Sequence, residues 1–536
     1  FVTGLKHAAD GKSEALYLVQ NSIKGLDAYI KGETKDFSTV GVKALDDYTV
    51  QYTLNKPESY WNSKTTSGIL FPINADFLAS QGNSFGSAKP SSILYNGPYI
   101  LKSLTAKSSI EYKKNEKYWD KENVPIEDVK LSYYDGSDQE SLVRNFSDGA
   151  YTLARVFPNS SNYASVKKKY ADNITYSQQG GTSFFYVFNV NRQSYNHTSK
   201  KDDKQKSDTK AAILNKDFRQ AIGFAFDRKA YAAQTNGEDG ASMILRNLAV
   251  PPTFVQIRDR NFGDVVKEKL ASYGQEWSDV KLEDAQDGLY NAEKAKAEFA
   301  KAKETLQAQG VNFPIHLDLP VSQSDKAGIQ QASSFKQSVE SALGKDNVVV
   351  DLQQMSEDDF NNTGYFANSA AQKDYDLSTS GWTPDYQDPS TYLDVFDPTN
   401  GGLLQAIGIE PGQNQDVVSA LGLNDYKALN DDANKETSDT SVRYEKYANS
   451  QAWLTDSGLT LPSISNGANP LVQKSVPFTR AYSWIGSKGT ATNYKYMQLQ
   501  DDVLTSKDYE KAFKTWMKEK ESSNEKAQKE LEKHVK

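Results

Sequence analysis

The chain has 536 residues, 38% hydrophobic and 25% charged, with a formal net charge of −8. That length exceeds one hydrophobic core and implies about two or three domains, and the acidic balance argues against a nucleic-acid partner, whose phosphates need a basic face. There is no cysteine, which excludes disulfides, thiolate nucleophiles and Cys-ligated zinc or iron–sulfur centres, and no apolar run approaches the ~18–20 residues of a membrane span.

Residues 1–30 carry Leu5, Ala8, Ala9, Ala15, Leu18 and Val19 at helical spacing and are predicted to be helical. No signal peptide or capping residue precedes them, so the chain is expected to begin partway through a larger protein. Residues 40–54 alternate apolar and polar about a turn at Asp46–Asp47, as a hairpin does. Asn96–Gly97–Pro98 is strong turn punctuation, and a domain boundary is placed near residue 90. Strands are predicted at 99–104, 109–113 and 129–134, a short helix at 139–146, and a buried strand in the apolar run from Gly181. The lysine-rich stretch 194–210 is predicted to be a surface loop without chemistry.

A helix is expected at 217–232, with Phe218, Ile222 and Ala225 on one face. From 291 onward strand and helix alternate: helix 291–309 closed by Gly310, strand 315–319, helix 326–343 closed by Gly344, strand 347–352 and helix 356–366. This alternation argues for an α/β lobe with a parallel or mixed sheet. A helix at 442–454, a strand at 459–464 and a long helix at 506–535 complete the chain, the last with Tyr509, Ala512, Phe513 and Trp516 facing inward.

The stretch around which this pattern is organised is 375–396, YDLSTSGWTPDYQDPSTYLDVF. A short strand, 375–380, stops at Gly381 and is followed by Trp382, Asp385 and Tyr386. Asp385, Asp388, Asp394 and Asp397 form the one carboxylate cluster, and three chemistries compete for it. A glycosidase uses two carboxylates across a cleft. A calcium loop uses alternating oxygen ligands with a mid-loop glycine, which is missing here. A binding site uses one buried carboxylate as counter-ion to an ammonium group. Asp394 and Asp397 read as solvent-facing acids, whereas Asp385, between Trp382 and Tyr386, reads as a binding residue. The four histidines (His7, His197, His316 and His534) lie in unrelated segments, and no GxSxG, Walker or HExxH motif occurs. No cofactor or metal is therefore expected.

Five segments then resemble, in sequence order, the peptide/nickel-type extracytoplasmic solute-binding proteins of ATP-binding-cassette importers. They are GVKALDDYTVQYTLNKP (41–57), YNGPYILKS with IEYKKNEKYW (95–119), FNVNR with DFRQAIGFAFDRKAY (188–231), AVPPTF (249–254) and RYEKYANSQAWLTDSGLTLP (443–462). With the WTPDYQDP loop, the chain is most similar to the Gram-positive Ami/Ali-type oligopeptide-binding lipoproteins.

The resemblance implies a two-lobed α/β fold of the periplasmic-binding-protein type, with mixed sheets. Residues 1–90 would be the remainder of a smaller insert domain, 91–190 with 481–536 the first lobe, and 191–480 the second. It implies an oligopeptide ligand, permease subunits of an importer as partners, a monomer and no catalysis. It also implies the outer face of a bacterial membrane, with a lipid anchor on an N-terminal cysteine that this chain does not contain. Carried over residue by residue, Asp385 would pair with a peptide's α-ammonium, the main chain of Gly381 and Thr383 would bond the extended peptide, and Trp382 and Tyr386 would line the site. Phe184, Phe185, Tyr482 and Trp484 would be wall residues. One position departs from the pattern: Thr379 stands where well-known members carry an arginine that meets the peptide's C-terminal carboxylate. A different recognition of that end is therefore expected. Readings kept open are a secreted carboxylate-dependent hydrolase, a binder of dipeptides, nickel chelates or oligosaccharides, and an adhesin.

Overall fold

The computed structural model describes residues 1–480, 483, 485 and 493–534. By internal contacts the chain divides into one unit of Phe1–Pro72 with Gln178–Ala468 and another of Ile73–Ser177 with Asn469–Lys536. The expected divisions lay near 90, 190 and 480, so the contact boundaries fall some 12–18 residues earlier, and the first 72 residues group with the central segment. Among the described residues no helix is long and apolar enough to cross a membrane.

In the first unit, the helix expected over residues 1–30 is broken into Val2–Asp10, a 3₁₀ turn Glu14–Leu18 and Leu26–Ile30. Two backbone features break it. Lys12 has a φ of 52°, and Gly25 has a φ of 74° with Thr39 O only 2.7 Å from where a Cβ would stand, so only glycine fits there. The pieces pack with the hairpin Val42–Ala44/Val50–Tyr52 around Leu5, Val19, Ile23, Leu26, Val40 and Leu70. Tyr386, from the far end of the chain, rests on this small core.

The larger core is built on the strand Gln179–Phe188. It pairs antiparallel with Leu377–Trp382 on one side and Thr460–Gly467 on the other. Beside it, Ile315–Ser322 and Val348–Met355 pair in parallel, as expected of strands joined through a crossover helix, here Lys326–Leu343. The sheets are therefore mixed in direction. The expected helix 217–232 is two helices, Lys216–Ala225 and Arg228–Gly240. Phe226 is extended between them, and the Asp227 carboxylate caps the second by accepting the Ala230 N–H at 2.8 Å.

The stretch 194–210 is not a surface loop. Residues Asp203–Leu214 are helical, with the Asp202 carboxylate capping the Gln205 N–H at 2.9 Å. Just before this helix the chain is pinned into the core by charge. Arg192 Nη1 donates to Asp318 Oδ2 at 2.7 Å and its Nη2 to Asp374 Oδ1 at 2.9 Å. Lys200, fully buried, donates to Asp318 Oδ2 at 2.9 Å and to Asp376. His197 Nδ1 lies 3.0 Å from Asp374 Oδ2. Burial opposes ionisation of Asp318, yet Lys200 and the donors from Thr198 and Ser199 hold its carboxyl well below the usual range. Removing one partner from such a buried set leaves uncompensated charge. Lys200→Met is therefore expected to cost ~3 kcal/mol of stability, while Lys201→Met, one exposed residue along, stays within about 0.5 kcal/mol. Urea unfolding of the two variants side by side measures this, and equal midpoints would contradict it.

In the second unit, Tyr99–Thr105, Ser109–Lys114 and Asp128–Ser132 form an antiparallel meander. Leu153–Arg155 and Thr175–Tyr176 flank Pro470–Gln473 in a second sheet. The final helix, Ser506–His534, is held at its start as its apolar face predicts: Phe478 packs on Tyr509, Phe513 and Trp516, with centroids at 5.3, 5.9 and 5.1 Å.

Candidate functional site

The strand Leu377–Trp382 is an edge strand of its sheet. Among the described residues no third strand pairs its outer side, so its outward N–H and C=O groups can accept an extended chain. Its register places Gly381 opposite Phe184 and Trp382 opposite Ser183. Gly381 is required here because a Cβ would stand 2.7 Å from Phe184 Cδ1 and 3.0 Å from Ser183 O. The absence of a side chain lets the Phe184 ring approach the strand end this closely. Phe184 is 39% exposed, whereas Phe185, one residue on, is 2% exposed and packs against Phe396 at 6.1 Å. Successive strand residues face opposite ways, so of the two wall residues expected on this strand Phe184 presents a surface and Phe185 belongs to the core. Thr379 is exposed on the same strand.

Beyond the strand the loop is fastened at Thr383, Asp385, Tyr386, Gln387 and Asp388. Thr383 Oγ1 lies 2.8 Å from Thr182 Oγ1. Trp382 packs edge-on against Tyr17 at 6.0 Å, and its indole covers Gly402. Its Nε1 is buried with no hydrogen-bond partner among the described residues. The Asp385 N–H donates to Thr391 Oγ1 at 2.9 Å, and the Gln387 N–H to Ser63 Oγ at 3.0 Å. Tyr386 stacks on Tyr60 at 4.9 Å, and Lys64 Nζ stands 4.6 Å from the Tyr386 ring while pairing with Glu58 at 3.0 Å. Asp388 is fully buried and receives Arg443 bidentately at 2.8 and 2.9 Å.

Among the described residues these contacts leave the Asp385 carboxylate without a paired cation. Asp385 Oδ2 accepts Tyr17 OH at 3.0 Å. Burial pushes its carboxyl up to about 6, against the weaker opposing effects of the Tyr17 hydrogen bond and the Lys64 charge. Asp385 opens on a cavity of about 560 Å³, whose walls also include Tyr17, Tyr60, Lys64, Tyr386 and Asp394, a size ordinary for ligand sites. The expectation that Asp394 and Asp397 face solvent is corrected. Asp394 sits in the cavity wall, pushed up to about 7 by burial, and Asp397 is buried with Lys427 at 3.5 Å. Of the remaining predicted residues, Gly381, Trp382, Thr383, Tyr386 and Phe184 gather within this loop and strand end, and Tyr482 and Trp484 lie outside the described residues. Sequence reasoning missed Tyr17, Tyr60 and Lys64. Tyr17 stands 368 residues from the carboxylate it touches, and no local pattern marks it.

Residues 6–402 match the family model described as bacterial extracellular solute-binding proteins, family 5 Middle. The chain belongs to this family of extracellular solute-binding proteins. It is 61% identical, over its whole length and 82% of the relative's, to the oligopeptide-binding protein AliB of Streptococcus pneumoniae serotype 4 (strain ATCC BAA-334 / TIGR4). It is 57% identical, over its whole length and 81% of the relative's, to the oligopeptide-binding protein SarA of Streptococcus gordonii. Its fold is that of the substrate-binding domain of an oligopeptide transporter of Bacillus anthracis (TM-score 0.67, 19% identity, 94% of this chain and 83% of the other) and of peptide-bound OppA of Listeria monocytogenes (TM-score 0.64, 22% identity, 94% and 83%). The expected two-lobed solute-binding fold is thereby shown.

Proposed function

We propose that the chain captures extracellular oligopeptides by their free N-terminus and delivers them, as a lipid-anchored monomer on the outer face of a bacterial membrane, to the permease subunits of an ATP-binding-cassette importer. The observation that carries this reading is Asp385, a half-buried carboxylate with no paired cation among the described residues, at the end of a strand edge that none of them pairs. A peptide's α-ammonium supplies the missing charge, and its main chain extends the sheet along Gly381 and Thr383. Recognition through main-chain groups tolerates many sequences. The names of the close relatives support the same ligand class.

The test is a titration of one hexapeptide against its N-acetylated form at pH 7 and pH 5. Acetylation removes the positive charge and is expected to lower affinity about 30-fold or more. The pH effect has a definite sign. Only ionised Asp385 pairs with the ammonium, and the free carboxyl protonates below about 6, so affinity falls as pH drops through 6, by up to about tenfold per unit. The peptide is recovered intact. Equal binding of the acetylated form would refute the ammonium assignment, and cleavage products would favour a hydrolase.

A further inference from the structure

The cavity beside Asp385 is larger than an α-ammonium needs, and its acidic wall residues outnumber its lysines by six to four. Most of these charges are already matched within the wall. Lys31 pairs with Asp27 at 2.7 Å, Lys64 with Glu58 at 3.0 Å, and Lys427 with Asp431 at 2.9 Å and Asp397 at 3.5 Å. Two carboxylates are left, Asp385 and Asp394. Among the described residues Asp394 accepts from two neutral donors, Asn434 Nδ2 and Tyr447 OH, both at 3.3 Å. Arg443, which acts on Asp394 through space, is committed to Asp388 at 2.8 and 2.9 Å. Lys56, the remaining lysine of the wall, acts on Asp394 through space without bonding to it and donates instead to the Asn434 carbonyl at 2.9 Å. Without a ligand, the burial that raises Asp394 to about 7 leaves it holding a proton much of the time at neutral pH.

We infer that this cavity receives the side chain of the peptide's first residue and selects a cationic one, lysine or arginine, through Asp394. The inference rests on the reading of Asp385 as the partner of the α-ammonium: with that group fixed at the cavity mouth, the first side chain is the one that enters. A carboxylate side chain would meet two acids with one uncommitted lysine. An aliphatic one would leave the Asp394 carboxyl facing apolar atoms, which costs unless it keeps its proton. A guanidinium or ammonium completes the pairing, and its aliphatic stem lies against the Tyr60 and Tyr386 rings that line the same space.

The test uses the full chain and three hexapeptides that are identical from the second residue onward and begin with lysine, norleucine or glutamate. The lysine peptide is expected to bind about tenfold more tightly than the norleucine peptide, and the glutamate peptide more weakly than both. Calorimetry at pH 7 in two buffers of different ionisation heat is expected to show more proton release with the lysine peptide, because a cation drives Asp394 to its ionised form. In Asp394→Asn the lysine-to-norleucine ratio falls to within about twofold. Equal affinity of the wild-type chain for lysine and norleucine peptides, a comparison that needs no variant to fold, would overturn the cation pocket while leaving the ammonium site standing. If none of the three peptides binds, the ammonium site itself fails, and the pocket with it.

Discussion

Asp385→Ala is expected to weaken binding of a free-amino oligopeptide by ~30-fold or more, about 2 kcal/mol, without lowering the stability of the fold. The two halves of this expectation have one cause. Burial holds the Asp385 carboxyl up at about 6, so the folded chain keeps its proton more tightly than the unfolded chain, whose value is near 4. The stabilisation this provides is fully present below the unfolded value and is lost as pH rises through 6. At pH 7 the carboxylate is ionised and desolvated, with Tyr17 OH at 3.0 Å its one hydrogen-bond donor among the described residues, and contributes a penalty. Removing it is neutral or stabilising there. Asp385→Asn separates charge from shape, because the amide oxygen still accepts from Tyr17 while the ammonium loses its counter-ion. It is expected to bind nearly as poorly as the alanine variant. Affinity within twofold of wild type in both variants, by titration calorimetry at pH 7, would show that another group holds the peptide's N-terminus.

How far the sequence carries to this site depends on whether the deciding contacts are local. The helices Ala292–Ala308 and Lys326–Leu343 lie where spacing and caps place them, because Asn291 and Asp325 cap their starts and Gly310 and Gly344 take positive φ just beyond their ends. The loop from Trp382 to Asp385 was legible for the same reason. A strand that ends at a glycine and presents a ring and an acid is a local pattern. Lys200 was not legible. Five lysines occur between 200 and 210, and the one that is fully buried is chosen by Asp318 and Asp376, 118 and 176 residues away. The apolar run around Phe184 and Phe185 has no alternation, so it says nothing about which ring faces outward. Asp394 follows a helix start, where acids commonly sit in solvent. It is half-buried, and Tyr447 and Asn434, far along the chain, donate to it at 3.3 Å.

Arg443→Leu is expected to cost ~3–5 kcal/mol of stability and to lose binding as a consequence, the reverse of the order at Asp385. The pair it breaks is the clasp of the site loop. Arg443 and Asp388 side chains are 4% and 0% exposed. Nε meets Oδ2 at 2.8 Å and Nη2 meets Oδ1 at 2.9 Å, a two-point geometry that lysine cannot reproduce. The same guanidinium donates to the Ala433 carbonyl at 3.0 Å and to Asn434 Oδ1 at 3.1 Å, and it lies over the rings of Tyr60 and Tyr447 at 5.3 and 5.0 Å. It therefore joins the loop that carries Asp385, the helix Thr440–Ser457 and the N-terminal segment that supplies Tyr60. Leucine fills part of the space but leaves Asp388 ionised and unpaired in the interior, where an uncompensated charge is most costly. The charge account makes a further distinction. In Asp388→Asn/Arg443→Leu the buried charge is gone, and about half of the lost stability is expected to return, although the loop is still unclasped. Urea unfolding at pH 7 of the two variants measures both quantities. If the double variant is as unstable as Arg443→Leu alone, the cost lies in the lost hydrogen bonds and ring contacts of the guanidinium, and not in the carboxylate it leaves behind.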